Sequence, residues 1–400
     1  MFRKFLTLSC IAALPASAQS EVLRALPVDP SEITPGDATA PAPPPAPAAA
    51  EITPLSPGAV TMPERKRNPM SDTPADIANL PEGEDAVRLQ IFLDQSNFGP
   101  GVIDGKPGRF TVLAVDAWNE VHGHPAGDLG PVMEAARKAV PNPFAAATVP
   151  ELAAKWVNSG LSHNRAAQAK AKRMSYRSIA EFMAERFHTD VEFILELNGS
   201  KSTWGVKAGG SLVVPNVKPF LIENVTGIRY EADPAMSERH AVVDTKKNQV
   251  RIFEGAPAAL VIEEEPAEPV AAGQPVLVKP RPVPNRALVA SFPITPGKPQ
   301  FIHYGTWKLN NSVELPVWRY DQSLLDTGKR SNNALNIPPG PNSPVGIIWN
   351  GLSRPGIGLH GTSDPETIGR ARSAGCIRLA NWDAIRIPTL IRPGATVEVR

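Results

Sequence analysis

The distribution of proline limits what this chain can fold into more than any other feature. The sequence has 400 residues and 44 prolines, most of them clustered. Residues 19–80 are rich in Pro, Ala, Thr and Glu, and residues 41–50 consist of Pro and Ala alone. Such a segment has little apolar mass to bury. We therefore predict an extended, disordered tether over residues 19–80 and compact units after it.

The first 18 residues have the organisation of an export signal. A positively charged start precedes the apolar stretch Phe5–Leu14, and the Ala-Ser-Ala sequence at 16–18 has the small-x-small form that a signal peptidase cuts. The apolar stretch is about 10 residues long, whereas crossing a bilayer takes ~20. We expect residues 1–18 to be a cleaved signal peptide, no transmembrane segment in the mature chain, and delivery to the periplasm or cell wall.

The charge balance and the histidine pattern exclude two function classes. Lys and Arg total 41 and Asp and Glu total 40, so the net charge is +1. A nucleic-acid-binding protein would need a basic surface, so we predict no nucleic-acid partner. His122 and His124 form only a weak metal-like pair without partners nearby. We predict no metal and no cofactor.

Cysteine usage leaves a single thiol to explain. Cys10 departs with the predicted signal, so Cys376 is the lone cysteine of the mature chain and no internal disulfide is expected. A lone thiol in an exported protein is exposed to oxidation. From the count alone, a buried structural cysteine and a nucleophile are equally open explanations.

Two small units follow the tether. Residues 84–125 contain a helix-like apolar cluster, a G-x-I-D-G turn at 101–105 and a second helical stretch at 110–121. This order resembles the small three-helix peptidoglycan-binding domain, and the alternative is a generic helical pair. Residues 126–172 are assigned to a connector.

The second unit, residues 174–217, has two predicted helices at 178–186 and 191–197, followed by a turn and a G-x-x-L-x-V-P strand at 209–215. It resembles a LysM module, a βααβ fold that binds N-acetylglucosamine chains. The opening strand of that fold is not visible in the sequence.

Residues 238–400 have the alternating pattern of a mostly β domain. A hairpin is predicted at 240–255, and the remaining strands are short. Residues 255–285 carry seven prolines and are interpreted as an inserted loop. The further strands are ALVASFPIT, VGIIWNGL, GIGLHGT and the closing ATVEVR.

The residues that could catalyse a reaction are concentrated around the lone cysteine. Thiol acyl chemistry needs a base, donors for an oxyanion and a constrained, accessible turn. Gly375 permits tight backbone geometry beside Cys376, and Arg378 supplies a permanent cation two residues later. His360 ends a predicted strand 16 residues before the thiol and can return to the same site across neighbouring elements.

The segment GLHGTSDPETIGRARSAGCIRLANWDAI resembles the catalytic segment of the L,D-transpeptidases, the YkuD-type fold. Their motif is H-G-[TS] followed by S-x-G-C-[IV]-R-[LM], and the resemblance extends over residues 238–400. Together with the two upstream resemblances, it implies a multidomain protein in which a β-rich catalytic domain is preceded by the small helical domain and the βααβ LysM-like module.

The resemblance also implies roles for individual residues. Cys376 would be the nucleophile, His360 the general base, and the Gly361 carbonyl would orient the imidazole. Backbone amides around Gly375 and Cys376 would form the oxyanion hole. Substrate contacts would come from Arg378, Ser373 and Thr362. Many members have His where this chain has Ala374, so any role of that second His is absent here.

The implied reaction is acyl transfer on the peptidoglycan stem through a cysteine thioester. The donor would be a stem tetrapeptide and the acceptor a diamino-acid side chain, giving 3→3 cross-links, or a free D-amino acid, giving exchange. Two alternatives stay open: a carboxypeptidase or amidase that uses water, and a non-catalytic cell-wall-binding protein that keeps the fold.

Overall fold

The structure is a computed structural model that describes residues 51–62, 79–255, 287–297, 302–323, 331–354, 356–370 and 376–400. The predicted signal at 1–18, most of the tether and nearly all of the 255–285 insert lie outside the described residues. Within the described ranges, no helix is long and apolar enough to cross a membrane.

The first compact unit has three helices: α1 (Gly83–Gln95), α2 (Arg109–His122) and α3 (Leu129–Ala139). The predicted helical pair is present as α1 and α2, and α3 lies beyond the predicted end of the unit at 125. Trp118 belongs to the buried cluster among these helices, and His122 and His124 stack on its ring at 4.0 and 5.7 Å between centroids. These two histidines therefore pack on an aromatic ring.

A three-stranded antiparallel sheet organises the second unit, which in the structure is larger than the predicted 174–217: it includes β1 and residues 144–217. Its strands, in the order β1-β2-β3, are β1 (Ile52–Pro54), β2 (Phe144–Thr148) and β3 (Ser211–Pro215). Four helices lie between β2 and β3 in the chain: α4 (Ala153–Trp156), α5 (Arg165–Gln168), α6 (Ile179–Arg186) and α7 (Val191–Gly205). Helices α6 and α7 begin where the sequence predicts, because Ser178 and Asp190 cap their first turns.

Two strands of this sheet depart from the sequence interpretation. Strand β2 lies in the segment assigned to a connector and is made of Phe144, three alanines and Thr148. Alanine favours helix over strand, so pairing with β1 and β3 overrides the local preference. Strand β1 lies inside the predicted tether, where Leu55 and Met62 also pack against the core. The tether prediction therefore does not hold for residues 51–62.

The third unit is a curled, β-rich domain, as predicted for residues 238–400. Its strands are β4 (Arg229–Tyr230), β5 (His240–Asp244), β6 (Gln249–Phe253), β7 (Leu288–Pro293), β8 (Gly305–Glu314), β9 (Trp318–Tyr320), β10 (Leu335–Ile337), β11 (Ile348–Leu352), β12 (Gly358–His360), β13 (Ile377–Arg378) and β14 (Thr396–Val399). Its short helices are α8 (Pro234–Glu238), α9 (Asn381–Ala384) and α10 (Ile387–Leu390).

Nine of these strands form one sheet in the order β13-β12-β11-β8-β14-β5-β6-β7, with β4 pairing to β8 as well. The predicted hairpin is β5–β6, with register from His240 opposite Phe253 to Asp244 opposite Gln249. The C-terminal strand β14 does not lie at an edge. It runs parallel to β5 and antiparallel to β8, in the middle of the sheet.

The three units share one hydrophobic core and a buried ionic contact. Ile91 of α1, Phe193 of α7 and Ile252 of β6 belong to the same buried cluster. Asp94, at the end of α1, accepts a hydrogen bond from Arg386 Nη2 at 2.8 Å and contacts His188 Nδ1 at 2.9 Å. Since each residue comes from a different unit, the upstream units are fixed against the β domain.

Candidate active site

The site is built on the parallel pair β12–β13. Leu359 lies opposite Ile377, and His360 lies opposite Arg378. Leu359 and Ile377 are buried in the core, and side chains alternate along a strand. His360 and Arg378 therefore lie on the other face of the pair, and Cys376 directly precedes β13.

His360 is held in one tautomer. Its Nδ1 atom lies 2.7 Å from the Gly361 carbonyl oxygen. A carbonyl oxygen only accepts, so Nδ1 carries the hydrogen and Nε2 keeps a lone pair. The ring stacks on Trp349 with 5.5 Å between centroids and is 3% exposed. The imidazole is thus fixed, shielded and able to accept a proton at Nε2.

Cys376 packs against the small buried cluster that contains the same tryptophan. It is partly buried and packs against the cluster of Val345 and Trp349, with Trp318 on the same cluster. Its Sγ atom lies 3.6 Å from the Gly356 carbonyl oxygen, which accepts its hydrogen. The thiol packs on the cluster that contains Trp349, and the imidazole stacks on Trp349 itself, so this tryptophan forms an aromatic wall shared by the two groups.

Burial and charge set the protonation of this pair. Burial raises the pKa of the Cys376 thiol to about 11, opposed by the Arg378 guanidinium and a backbone hydrogen bond from Gly358. Burial, and then the positive charge of Arg378, lower the pKa of the His360 imidazole to about 3, opposed by its bond to Gly361. At neutral pH the resting pair is a neutral thiol and a neutral imidazole.

The backbone that carries His360 is supported by Asn381 at the start of α9. Asn381 Oδ1 accepts a hydrogen bond from the Ile347 amide at 3.3 Å. A Cβ atom added at Gly361 would overlap the same oxygen. Gly361 must be glycine because the amide of Asn381 occupies the space that a side chain would need.

Asn381 is in turn held by the second unit. Its Nδ2 donates to Glu185 Oε2 at 3.0 Å, and Tyr176 donates its hydroxyl to Glu185 Oε1 at 2.7 Å. Burial raises the pKa of the Glu185 carboxyl to about 8, opposed by these two hydrogen bonds. A buried chain of contacts thus runs from Tyr176 through Glu185 and Asn381 to Gly361.

The segment after His360 is also in contact with the first unit. Gly369 packs so closely on the ring of Phe110 from α2 that an added Cβ would overlap it. The Gly369 amide donates to Thr295 Oγ1 at 2.8 Å, and Thr295 pairs with Arg378 through two backbone hydrogen bonds. The first unit therefore contacts the loop between His360 and Cys376.

Five of the sequence-predicted site residues are described, and four of them, His360, Gly361, Cys376 and Arg378, meet at this end of the sheet. Thr362 is buried, accepts a hydrogen bond from the Asp364 amide at 3.3 Å and lines the adjoining cavity with Arg378. The predictions for Ser373 and Gly375, and the departure at Ala374, fall outside the described residues.

Sequence reasoning missed the residues that support the pair. No local signal distinguishes Trp349 from an ordinary core aromatic. Asn381 and Glu185 are 196 positions apart, and only the fold joins them. The one available sequence signal is Asn381 itself, a polar residue at the first position of α9, ahead of a mostly apolar segment.

Comparison with known proteins matches part of the β domain to a known family. Residues 277–399 match the YkuD family, described as the L,D-transpeptidase catalytic domain. YkuD of Bacillus licheniformis, a predicted L,D-transpeptidase, is 38% identical over 76 residues, which are 19% of this chain and 46% of that protein. YkuD of Bacillus subtilis is 38% identical over 96 residues, 24% of this chain and 58% of that protein. The chain thus spans about half the length of these curated relatives.

Solved structures give a weaker likeness. L,D-transpeptidase 3 of Mycobacterium tuberculosis with a faropenem-derived adduct is 14% identical and has a TM-score of 0.27. The alignment covers 49% of this chain and 75% of the mycobacterial chain. The Enterococcus faecium L,D-transpeptidase C442S mutant is 14% identical, with a TM-score of 0.25 over 41% and 50%. The family assignment rests on the sequence matches. Residues 277–399 of this chain belong to the YkuD family of L,D-transpeptidase catalytic domains.

Proposed function

We propose that this protein is an exported L,D-transpeptidase that acts on peptidoglycan stem peptides through a thioester on Cys376. The observation that carries the proposal is the shared face of β12–β13, with His360 fixed by Gly361 and Cys376 against the same aromatic wall. The family match of the domain supports the same reaction class.

In the first half-reaction, Cys376 Sγ attacks the carbonyl carbon between the third stem residue and the terminal D-Ala. The thiol proton passes to His360 Nε2 as the S–C bond forms, which suits a neutral resting pair. The C–N bond then breaks, the proton returns to the leaving amine of D-Ala, and a thioester remains. Arg378 stabilises the developing negative charge or positions a substrate carboxylate.

In the second half-reaction, an amine of another stem attacks the thioester carbonyl. His360 takes a proton from the attacking amine, the C–S bond breaks, and the thiol is restored. The thioester keeps the acyl-transfer potential of the broken amide, so no nucleotide is consumed. A side-chain amine gives a 3→3 cross-link, and a free D-amino acid gives exchange.

The upstream units are proposed to serve wall binding. The helical domain at 84–125 and the LysM-like module at 174–217 would hold the catalytic domain on peptidoglycan, after export directed by residues 1–18. Strand β2 supports the LysM-like interpretation, since it pairs with β3 and supplies a strand ahead of α6 and α7. Pull-down with purified sacculi tests this proposal, and a chain that stays in the supernatant would contradict it.

Product analysis separates the reaction outcomes. Purified protein is incubated with disaccharide-tetrapeptide, and products are resolved by mass spectrometry. A cross-linked dimer with released D-Ala supports transpeptidation. Tripeptide without dimer would indicate a hydrolase that uses water, and no product from a folded protein would favour a non-catalytic wall-binding protein. Cys376→Ala is the matched control, since it removes one sulfur atom.

A further inference from the structure

A basic cavity adjoins the candidate active site. It has a volume of about 270 Å³. The β domain contributes Thr362, Asp364 and Arg378, whereas Arg165 and Arg177 come from the segment between β2 and β3 of the second unit. The cavity therefore lies between a residue implicated in the chemistry and a unit outside the family match.

The charges of the cavity are unbalanced. Three guanidinium groups face one carboxylate, that of Asp364, among its lining residues. Arg177 Nε is buried and has no hydrogen-bond partner within the described part of the chain. A buried donor without an acceptor costs free energy, so an acceptor that reached this guanidinium would lower that cost.

Arg165 is held in place before any ligand arrives. Its Nη1 donates to Gln168 Oε1 at 2.7 Å, and its guanidinium lies over the rings of Trp318 and Tyr320 at 5.3 and 5.7 Å. Trp318 packs on the cluster that also contacts Cys376. The cation is thus preorganised on two aromatic rings, one of which, Trp318, packs on the same cluster as Cys376.

We propose that this cavity binds a carboxylate of the donor stem peptide, and that Arg165 and Arg177 are specificity residues supplied by the second unit. The proposal rests on the proposed function, since that reaction defines the peptide that must reach Cys376. A planar guanidinium matches a carboxylate in a bidentate pair. The second unit would therefore take part directly in recognising the donor, in addition to any role in wall binding.

Binding is measured by calorimetry with a stem tetrapeptide and the full-length Cys376→Ala protein, so that no turnover is needed. In that background, Arg177→Gln and Arg165→Gln should each weaken peptide affinity about 10- to 100-fold, the loss expected for a charge-assisted hydrogen bond. Arg177→Lys should recover part of the affinity. Lys170→Gln, an exposed lysine of the same segment outside the cavity lining, is the matched charge control and should change nothing.

Tetrapeptides in which one carboxylate at a time is a carboxamide identify the group that is bound. If one amidated peptide binds weakly, and binds equally weakly whether Arg177 is present or replaced by Gln, then the carboxylate missing from that peptide is the partner of Arg177. Wild-type affinity in both arginine variants, or no measurable binding of the peptide, would overturn the proposal. Acylation is tested separately, with the wild-type protein and the same peptide. If binding depends on the arginines but wild-type Cys376 is never acylated, the proposed function is refuted and the cavity assignment stands.

Discussion

Asn381 Nδ2 donates a hydrogen bond to Glu185 Oε2 at 3.0 Å, which joins α6 of the second unit to the residue that packs on Gly361. The carboxyl is buried and its pKa is raised to about 8, so it is protonated at neutral pH. In the neutral carboxyl, Oε2 still accepts from Asn381, while Oε1 carries the proton and donates it to the Tyr176 oxygen, which reverses the direction of that bond relative to the ionised form. A glutamine amide offers the same acceptor and donor.

Glu185→Gln should therefore fold and react like the wild type at pH 7, because it reproduces both hydrogen bonds. Glu185→Ala leaves the buried Tyr176 and Asn381 groups without their partner and should lower the free energy of unfolding by about 2–4 kcal/mol. Urea denaturation measures both variants. Equal stability of Glu185→Ala and wild type would show that the contact is dispensable.

The same carboxyl predicts a pH dependence of stability. Its folded-state pKa, about 8, lies above the ordinary value of 4.5, so the folded state holds the proton more tightly. The stabilisation is fully present below about pH 4.5 and is lost as pH rises through 8. Other buried groups also titrate, and burial raises the pKa of Asp383 above its ordinary value as well.

The difference between wild type and Glu185→Gln isolates this one group. Unfolding free energies of the two proteins, measured from pH 5 to pH 9, should diverge with rising pH, with the wild type losing stability relative to the glutamine variant. Parallel curves across this range would mean that Glu185 ionises in the folded protein at its ordinary pKa.

The resting state of the thiol can be measured by alkylation. With a pKa of about 11, Cys376 holds roughly a few hundredfold less thiolate at pH 8 than a free cysteine does. Its rate of reaction with iodoacetamide should climb steadily between pH 8 and pH 10.5. Arg378→Gln should slow alkylation further, because it removes the cation that favours the thiolate, and Arg378→Lys should not.

Cys376→Ala is the blank for this alkylation experiment. A plateau below pH 8 would contradict the expectation, since it would indicate a preformed thiolate–imidazolium pair in place of two neutral groups.

Gly361→Ala tests the support of the histidine backbone. The added methyl group would overlap Asn381 Oδ1, so either Gly361 or Asn381 must shift and the His360 ring with it. We expect a loss of at least about 100-fold in the acylation rate of Cys376. Gly205→Ala is the matched control, because nothing lies within 4 Å of its added methyl group. Unchanged acylation in Gly361→Ala would remove this residue from the positioning of His360.

Local patterns were enough to predict the hairpin β5–β6 and the membership of His360 and Cys376 in one motif. The hairpin follows from alternating apolar residues, and the motif follows from a continuous segment of sequence. The alanine-rich β2 could not be predicted, because its strand conformation comes from its partners β1 and β3.

The supporting residues of the site and the cavity arginines could not be predicted, because they depend on contacts between residues far apart in the sequence. In the sequence, Glu185 looks like one more polar residue of α6. Its neutral state comes from burial in the fold, and its contact with Asn381 joins residues 196 positions apart. Arg165 and Arg177 lie about 200 residues before Arg378, and only the folded chain brings the three around one cavity. Charge and periodicity along the sequence carry no information about such neighbours.

The most direct test of the central claim is the intact mass of the mature protein after incubation with a stem tetrapeptide, and separately with a carbapenem. The account predicts an adduct of the tripeptide acyl mass and a carbapenem adduct, both mapped to the peptide that contains Cys376 and both absent from Cys376→Ala. Adducts that persist in Cys376→Ala, or a folded wild-type protein that takes up neither compound, would contradict the assignment of Cys376 as the nucleophile.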